Sequence, residues 1–299
     1  MMHYAWVDSR KAEGFPVVSA CRVAEVSTSA YYEHKVREAA GATEADWDEA
    51  ILINEMWDIH NNVNDSYGSP RMHTALSDRG FCHNHKKTER LMAQNGVYAV
   101  DGRRKKVKTT IPDVSAPPLP DLVKRDFSTG EPGKRTCGDI TYIPTDEGWL
   151  YLADVLDIGS RRIIGYAMDA RMETKLVSDA LEMAITTRGG KVKGMIFHGD
   201  RGSQYTSGDY RKLCNDNKIR QSVGRTGSCH DNAVAESFWA TLKRELISRY
   251  RFETRAQARR AIITWINRYN AARIHSTLGN VSPIEWELQY AQCQFPLAA

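Results

Sequence analysis

Hydrophobic residues recur at helical spacing through the first third of the chain. Between residues 46 and 60, Ala50, Ile53 and Trp57 follow one another at intervals of three and four, with further apolar residues alongside, namely Leu52, Met56 and Ile59. This spacing is typical of a helix that faces a core. Residues 14–35 predict two shorter helices with a turn between them, and a serine caps the start of the second.

Two more short helices are predicted on either side of a turn that contains Gly80. The first begins at Ser69 as cap with Pro70 at the first helical position, and the second begins after the cap residue Asn84. Such a pair, followed by a basic run, fits a helix-turn-helix DNA-binding unit with an arm. Small helical bundles of other function share the pattern, so both interpretations remain open at this point.

A proline-rich segment separates this helical pattern from the rest of the chain. Residues 112–120 hold four prolines in nine positions, and proline lacks both the N–H donor and the φ freedom that a helix or central strand requires. We therefore predict a helical region at 1–111, an extended linker at 112–122, a second domain at 123–250 and a C-terminal helical extension at 251–299.

The region after the linker reads first as strands and then as alternating helices and strands. Residues 134–145 predict one strand, and residues 148–170 predict two strands that meet at a turn, Gly159–Ser160. The later segments are predicted, in order, as a helix around 176–184, a strand at 193–200, a helix near 209–217, a strand at 219–224 and a helix at about 232–249. This order predicts an α/β domain with a mixed sheet and helices packed on it.

Composition restricts the class of protein. The chain has 299 residues, of which 41% are hydrophobic and 26% charged, as in ordinary soluble globular proteins. Its apolar stretches are far shorter than the ~18–20 residues of a membrane span, and its first ten residues lack the layout of a secretory signal. We expect a cytoplasmic protein without a membrane partner.

The six cysteines are scattered singly, which argues against a disulfide framework or a zinc ribbon. Cys82, His83 and His85 do cluster, but a structural zinc site usually takes paired ligands from two places. We prefer solvated polar residues at a helix start as the interpretation of this cluster.

Positive charge is concentrated in two segments. Residues 243–260 carry seven basic residues against two acidic ones, a local surplus larger than the net charge of +4 of the whole chain. A second run holds five cations in six residues, namely Arg103, Arg104, Lys105, Lys106 and Lys108. Clustered positive charge suits a polyanionic partner, although a solvated helix face or a linker would explain either run alone.

Three carboxylates are placed where the surrounding pattern is apolar. Asp139 falls inside the first predicted strand of the second domain, Asp200 ends the fourth, and Glu236 comes early in a helix, with 35 residues between the last two. A cap or an ion pair would explain any one of them, but a carboxylate in an apolar strand is costly unless it is paired or metal-bound. Together they predict an oxygen-rich site for two Mg²⁺ ions, which activate a water or 3′-hydroxyl and stabilise the leaving oxygen.

Four motifs follow one another along the chain: "GDITYI", "HGDRGSQYTS", "DNAVAESFWATLKRE" and "YNAARIHSTLGNVSPIEWE". In these motifs the chain resembles bacterial insertion-sequence transposases with a retroviral-integrase-like D,D(35)E core. Its front half, with "AEVSTSAYY" and "YGSPRMHTAL", is similar to the helix-turn-helix region of the same group. The resemblance covers most of the chain. It is most specific for the orfB-type product, which is encoded by the second reading frame of elements with two overlapping frames.

The resemblance implies an RNase H-like fold in which Asp139, Asp200 and Glu236 bind Mg²⁺ or Mn²⁺, two ions in each active site. The implied reaction is strand cleavage at the ends of the element and transfer of the 3′-OH into a target phosphodiester. The implied partners are double-stranded DNA, further copies of the same chain and the upstream-frame product. The implied location is the bacterial cytoplasm, at the nucleoid.

Several residues are expected to contact DNA. Lys243 lies two helical turns beyond Glu236 and so faces the same side, and its family position implies a phosphate contact. The other expected contacts are Arg201, Gln204, His230, Asn232, Arg103, Arg104, Lys105 and Lys106. Asp231 and Asp157 rank below the three carboxylates because neither falls on a catalytic position of the family.

Two residues depart from the family pattern. Gly199 stands where the family often has serine before the second aspartate, and Cys137 stands where it often has tryptophan two residues before the first. Neither change removes a predicted ligand. Two alternatives to a transposase remain: an RNase H-like nuclease that hydrolyses without joining, and a non-catalytic DNA-binding relic or regulator that uses only the front half.

Overall fold

The computed structural model describes residues 2–100, 119–200, 202–224 and 233–294. The chain forms two compact units, residues 1–98 and 99–299. The finer boundaries predicted at either side of the linker and at 250–251 stay predictions, and residues 112–118 of the predicted linker lie outside the described residues. No helix in the described part of the chain is long and apolar enough to cross a membrane.

The first unit is helical, as predicted. Its helices are α1 (Met2–Ala12), α2 (Val17–Val23), α3 (Thr28–Ala40), α4 (Glu44–Asn62), α5 (Ser69–Asp78) and α6 (His85–Gln94). The Ser27 and Asn84 side chains cap α3 and α6 by accepting backbone N–H groups at 3.0 and 2.9 Å. Ser69 is the first residue of α5 rather than its cap, and Gly68 takes the cap position.

Helix α4 faces the core, as its sequence predicted, and it buries the apolar residues that lie alongside the stripe of Ala50, Ile53 and Trp57. Leu52, Met56 and Ile59 are buried, whereas Trp57 is 38% exposed and Ala50 lies on the surface. Both sets of residues have helical spacing, so periodicity alone could not choose between them. The buried set packs towards α5 and α6, whose own apolar residues Met72, Leu76 and Leu91 are fully enclosed.

The second unit is a mixed α/β structure. Its strands are β1 (Arg135–Cys137), β2 (Ile140–Thr145), β3 (Gly148–Asp157), β4 (Ile163–Asp169), β5 (Ile196–Gly199) and β6 (Arg220–Val223). Its helices are α7 (Thr174–Thr187), α8 (Ser203–Thr206), α9 (Gly208–Asp216), α10 (Ala233–Leu242), α11 (Arg255–Ala271) and α12 (Pro283–Gln294).

The strands form one sheet with an antiparallel half and a parallel half. β3 pairs antiparallel with β4 on one edge and with β1 and then β2 on the other. β1 continues the sheet by pairing parallel with β5, which pairs parallel with β6. Because β1 and β2 lie end to end along one edge of β3, the sheet has three antiparallel rows of backbone followed by the parallel strands β5 and β6. This is the RNase H-like arrangement, so the fold prediction is confirmed.

The single strand predicted at 134–145 is divided into β1 and β2 by Gly138 and Asp139. Gly138 lies so close to its neighbours that an added Cβ would stand 2.6 Å from both the Asp154 carbonyl oxygen and the Phe197 ring. Real Cβ atoms essentially never approach this closely, so only glycine fits without a backbone shift. The interruption means that β5 pairs with β1 and not with β2, while β2 continues beside β3.

Helices cover both faces of the sheet. On one face, α10 and α11 enclose Ile143, Leu150 and Leu152 with a group of aromatic side chains that includes Trp239 and Trp265. On the other face, α7 and α9 pack against Ala153, Val155 and Phe197. Cys137, one of the two family departures, is fully buried in the first of these cores.

The predicted helix at 232–249 changes its winding before it ends. Regular α-helix stops at Leu242, and Lys243–Ile247 form a π-helical turn. Within this turn, Glu245 is buried and its Oε1 accepts a hydrogen bond from Nη2 of the equally buried Arg273 at 2.8 Å. The wider turn accompanies this pair, whose second member lies 28 residues further along the chain.

Candidate active site

Asp139 occupies the interruption between β1 and β2. Its backbone N–H, which leaves the regular strand pairing here, donates to Oδ1 of Asp154 at 3.0 Å. In return, the N–H of Asp154 donates to the Asp139 carbonyl at 3.2 Å. The Asp139 carboxylate accepts the N–H of Ile140 at 2.8 Å. These contacts fix the backbone on both sides of the carboxylate.

Asp200 comes next to Asp139 through the parallel pairing of β1 and β5. Cys137 pairs with His198. Asp139 and Asp200 each lie two residues further along, and the two strands run in the same direction. Oδ1 of Asp200 accepts the N–H of Gly202 at 2.9 Å. The motif "HGDRG" thus places a carboxylate just past a strand end and returns the backbone towards it.

The environment of Asp139 disfavours its charged form. Burial and then the nearby charge of Asp200 raise the pKa of Asp139 to about 7, while the Ile140 N–H, Trp239 and the charge of Lys243 oppose the rise. The Trp239 Nε1 is itself buried and completes no hydrogen bond of ordinary geometry. Two carboxylates close together with a perturbed pKa are typical of functional sites.

Helix α10 presents the third carboxylate. Glu236 is half-buried on α10, three residues before Trp239 and seven before Lys243, which is the spacing of one helix face. Both of those residues influence the Asp139 carboxyl. Glu236 therefore faces the same side of α10 as two residues that influence the Asp139 carboxyl.

The carboxylate oxygens of Asp139, Asp200 and Glu236 are ligands of the kind that a divalent cation takes, although they are not arranged around a cation site. Oxygen ligands suit Mg²⁺ and Mn²⁺, and the repulsion between Asp139 and Asp200 is what a cation would relieve. Within the described residues, no group of three or more His, Cys, Asp or Glu side chains has a geometry ready to hold a metal ion.

Asp154 is a site residue that the sequence pattern did not single out. It is 1% exposed, its Oδ2 has no hydrogen-bond partner, and burial followed by the charge of Asp139 raises its pKa well above the usual range. The signal was present in the sequence as a lone aspartate inside the apolar run "WLYLADVL". Its contacts make Asp154 the support of the Asp139 backbone.

Residues of the "GSQYTS" segment lie beside this site in different ways. Tyr205 is buried against Phe197 and Tyr210, so it supports the strand that carries Asp200. Gln204 is half-buried and its Nε2 donates to the Met172 carbonyl at 3.3 Å. At the family departure Gly199, an added Cβ would lie 3.3 Å from the Phe197 ring and 3.4 Å from Tyr205, a tight fit.

Asp157 serves a structural role at the far end of β3. Its carboxylate accepts N–H groups from Gly133, Gly159 and Ser160, and it pairs with Arg188 at 2.6 Å. Asp231 lies outside the described residues, and so do the remaining predicted contacts: Arg201, His230, Asn232, Arg103, Arg104, Lys105 and Lys106. Their roles stay predictions.

Comparisons with known proteins match both units. A family model described as an integrase core domain matches residues 130–229, a second integrase core model matches 217–283, and an HTH-like domain model matches 46–106. The chain is 36% identical over 273 residues to the insertion element IS600 uncharacterized 31 kDa protein of Shigella sonnei, a match that covers 91% of this chain and 98% of that protein.

A second relative extends over almost the whole chain. Transposase InsF for insertion sequence IS3A of Escherichia coli (strain K12) is 34% identical over 291 residues, which cover 96% of this chain and 98% of the relative. Among solved structures, the HTLV-2 integrase catalytic core domain in complex with magnesium matches 52% of this chain and 97% of its own, with 14% identity and a TM-score of 0.40.

Proposed function

The chain belongs to the insertion-sequence transposases with an integrase core domain, and we propose that Asp139, Asp200 and Glu236 form its catalytic centre for DNA strand cleavage and 3′-OH strand transfer. The observation that carries this proposal is the placement of Asp139 and Asp200 at neighbouring strand ends, where burial and then the charge of Asp200 raise the pKa of Asp139 to about 7.

Each residue of the centre has a distinct task in this proposal. Asp139 and Asp200 supply oxygen ligands from the sheet, and Glu236 supplies one from α10. Two divalent ions held there, Mg²⁺ or Mn²⁺, would activate the attacking water or 3′-hydroxyl and stabilise the leaving oxygen. Asp154 keeps the Asp139 backbone in place through the two hydrogen bonds between them.

Lys243 provides positive charge where a DNA phosphate would approach. It is exposed, it follows α10 directly, and its charge reaches the Asp139 carboxyl. Replacing it with alanine should weaken DNA binding for all sequences alike and reduce the salt slope of log Kd by roughly one, because one phosphate contact is lost.

The direct test uses the full chain with DNA that carries the ends of its own element. With Mg²⁺ or Mn²⁺, we expect cleaved ends and then joined or circular products, whereas Asp200→Asn should give neither. Cleavage without any joined product would instead favour a nuclease that hydrolyses only. DNA binding without cleavage, unchanged in the Asp200→Asn protein, would favour a non-catalytic DNA-binding protein.

We also propose that the working form is a homo-multimer on double-stranded DNA, joined in some elements by the upstream-frame product. Two ends of one element must be cut and joined, and each chain offers one such centre. Light scattering of the protein with a short end duplex should give a mass of at least two chains. A mass of one chain on the cleaved complex would contradict the multimer.

A further inference from the structure

Two large aromatic rings are exposed on the β2–β3 hairpin beside the carboxylates. Tyr142 is 38% exposed and Trp149 is 48% exposed. Their ring centroids are 4.9 Å apart, and the rings meet nearly at right angles, at 82°. Their neighbours in each strand, Ile143 and Leu150, are fully buried. The alternation of the strands therefore sends two aromatic rings outward where polar residues are the ordinary choice.

The rings are bordered by cations. Nζ of Lys243 lies 5.8 Å from the centroid of the Tyr142 ring, within the range of a cation–π contact. At the other end, Nε of Arg255 donates to the Trp149 carbonyl at 3.0 Å. We name Tyr142, Trp149 and Lys243 the aromatic ledge. Tyr142 lies three residues beyond Asp139, on the strand β2 that begins directly after Asp139, so one end of the ledge lies close to the proposed catalytic carboxylates.

We propose that the aromatic ledge binds an unstacked nucleobase of the DNA strand that is cut or joined at the carboxylates. Exposed aromatic rings combined with a cation are the elements that bind single-stranded nucleic acid, since every base offers a face for stacking and every nucleotide a phosphate. A base within a duplex has both faces covered by its neighbours, so the occupant must leave the stack. The proposal rests on the proposed function for the position of the strand.

The ledge adds a specific task to that function. Holding one base out of the stack would keep the adjoining phosphate in place over Asp139 and Asp200 while the rest of the duplex remains paired. Stacking on an aromatic side chain tolerates all four bases, so the ledge would position the strand without reading its sequence. Its loss should therefore weaken every end sequence by a similar factor.

A double-mutant cycle, with one change in the protein and one in the DNA, tests this contact. The full chain is titrated, without metal, with end duplexes in which one nucleotide at a time near the cleavage junction is abasic. At one or two positions the abasic site should weaken binding roughly five- to 150-fold, the range for one stacked base. Trp149→Ala should cause a similar loss with intact DNA and no additional loss with that abasic DNA, because both changes remove the same contact.

Control variants separate stacking from folding. Trp149→Phe and Tyr142→Phe keep an aromatic face and should retain most of the affinity. Trp286 and Tyr290 form another aromatic pair, stacked at 5.3 Å on α12, so Trp286→Ala is the matched control and should show no coupling to any abasic position. Thermal melting of each variant confirms that it is folded.

The outcomes distinguish the ledge from the proposed function. If the losses of DNA affinity from Trp149→Ala and from the abasic site multiply at every position, base binding by the ledge is wrong, even when the unmodified protein joins DNA. If the coupling is found but the unmodified protein never joins strands with Mg²⁺ or Mn²⁺, base binding by the ledge is supported and the proposed strand transfer is wrong. Equal coupling for Trp286→Ala would also overturn the ledge.

Discussion

The two units of this transposase place their carboxylates in opposite environments. In the helical unit, Glu49 pairs with Arg90 and both Glu55 and Asp58 pair with Arg79 at the surface, at 2.5 to 2.8 Å. The hydrogen bond from Arg90 lowers the pKa of Glu49. In the second unit, Asp139, Asp154 and Asp157 are enclosed, and burial raises the pKa of each.

The difference distinguishes carboxylates whose contacts stabilise the fold from carboxylates whose environment suits the binding of a cation. Asp157 is buried, but Arg188 and three backbone N–H groups satisfy it. Asp139 instead faces a second carboxylate, Asp200, and the charge of Lys243 offsets the rise in its pKa only in part. A buried charge without equal compensation is expensive for folding. Asp139 is therefore the position where function, rather than stability, explains the residue.

The largest expected effect comes from removing the proposed catalytic carboxylates. Asp139→Asn, Asp200→Asn and Glu236→Gln should each lower strand transfer on the order of 10³-fold or more, beyond the roughly 10–100-fold typical of residues that only support a metal ligand. Product analysis on end DNA measures this. Asp179→Asn is the control, since Asp179 is half-exposed on α7 and pairs with Lys175 at 2.6 Å. If a variant of one of these three carboxylates kept the activity of that control, the distinction between the two environments would be lost.

The next effect tests Asp157 as a structural charge. Arg188 bonds both Asp157 and Glu287 at 2.6 Å, and it therefore joins the end of β3 to α12. Arg188→Ala should cost about 3–5 kcal/mol of unfolding free energy, because it leaves two enclosed carboxylates without their shared cation. Chemical denaturation measures the loss. Arg171→Ala, which removes an exposed pair with Glu173, should change nothing measurable.

A smaller effect should appear in the pH dependence of metal binding. The unfolded pKa of Asp139 is near 3.8 and the folded one is about 7, so its contribution to stability is present below the first value and lost as pH rises through the second. Metal needs the ionised form. Affinity for Mn²⁺ should therefore rise roughly tenfold from pH 6 to pH 8, as calorimetry would show.

The Asp139→Asn protein provides the comparison for this pH effect. It should bind Mn²⁺ weakly and with a flatter dependence on pH over the same interval. An unchanged tenfold rise in that variant would assign the titration to another group.

The smallest effect belongs to the surface pairs of the helical unit. Arg79→Ala removes both the Glu55 and the Asp58 contacts, yet it should cost less than about 1 kcal/mol, because solvent screens exposed ion pairs. Added salt should reduce even that difference. A loss as large as that of Arg188→Ala would mean that the two units do not differ in the way described.

Local patterns were sufficient for much of this architecture. The strand that ends just before Asp200 follows from its short apolar run, and the cap at Ser27 follows from serine ahead of a helical stretch. The order of strands and helices then predicted the mixed sheet. Each of these inferences depends on residues within a few positions of one another, which is the range over which periodicity and capping operate.

The features that local patterns did not predict depend on distant neighbours. The division of the first strand at Gly138 is imposed by Phe197 and by the backbone of Asp154, and the π-helical turn accompanies a buried partner, Arg273. The role of Asp154 likewise appears only when β3 lies beside Asp139. None of these contacts produces a periodic pattern in the sequence. The proposed convergence of Glu236 with the two aspartates stays a prediction.

The fit of Gly138 has a consequence for copies of this gene that accumulate mutations. Any side chain at this position would push against backbone on one side and an aromatic ring on the other, and the displacement would pass directly to Asp139. A copy that retains Asp139, Asp200 and Glu236 but has lost this glycine should therefore encode an inactive protein. Inventories of intact mobile elements that count only the three acidic codons would record such a copy as functional, and the glycine codon is the one that would reveal its decay.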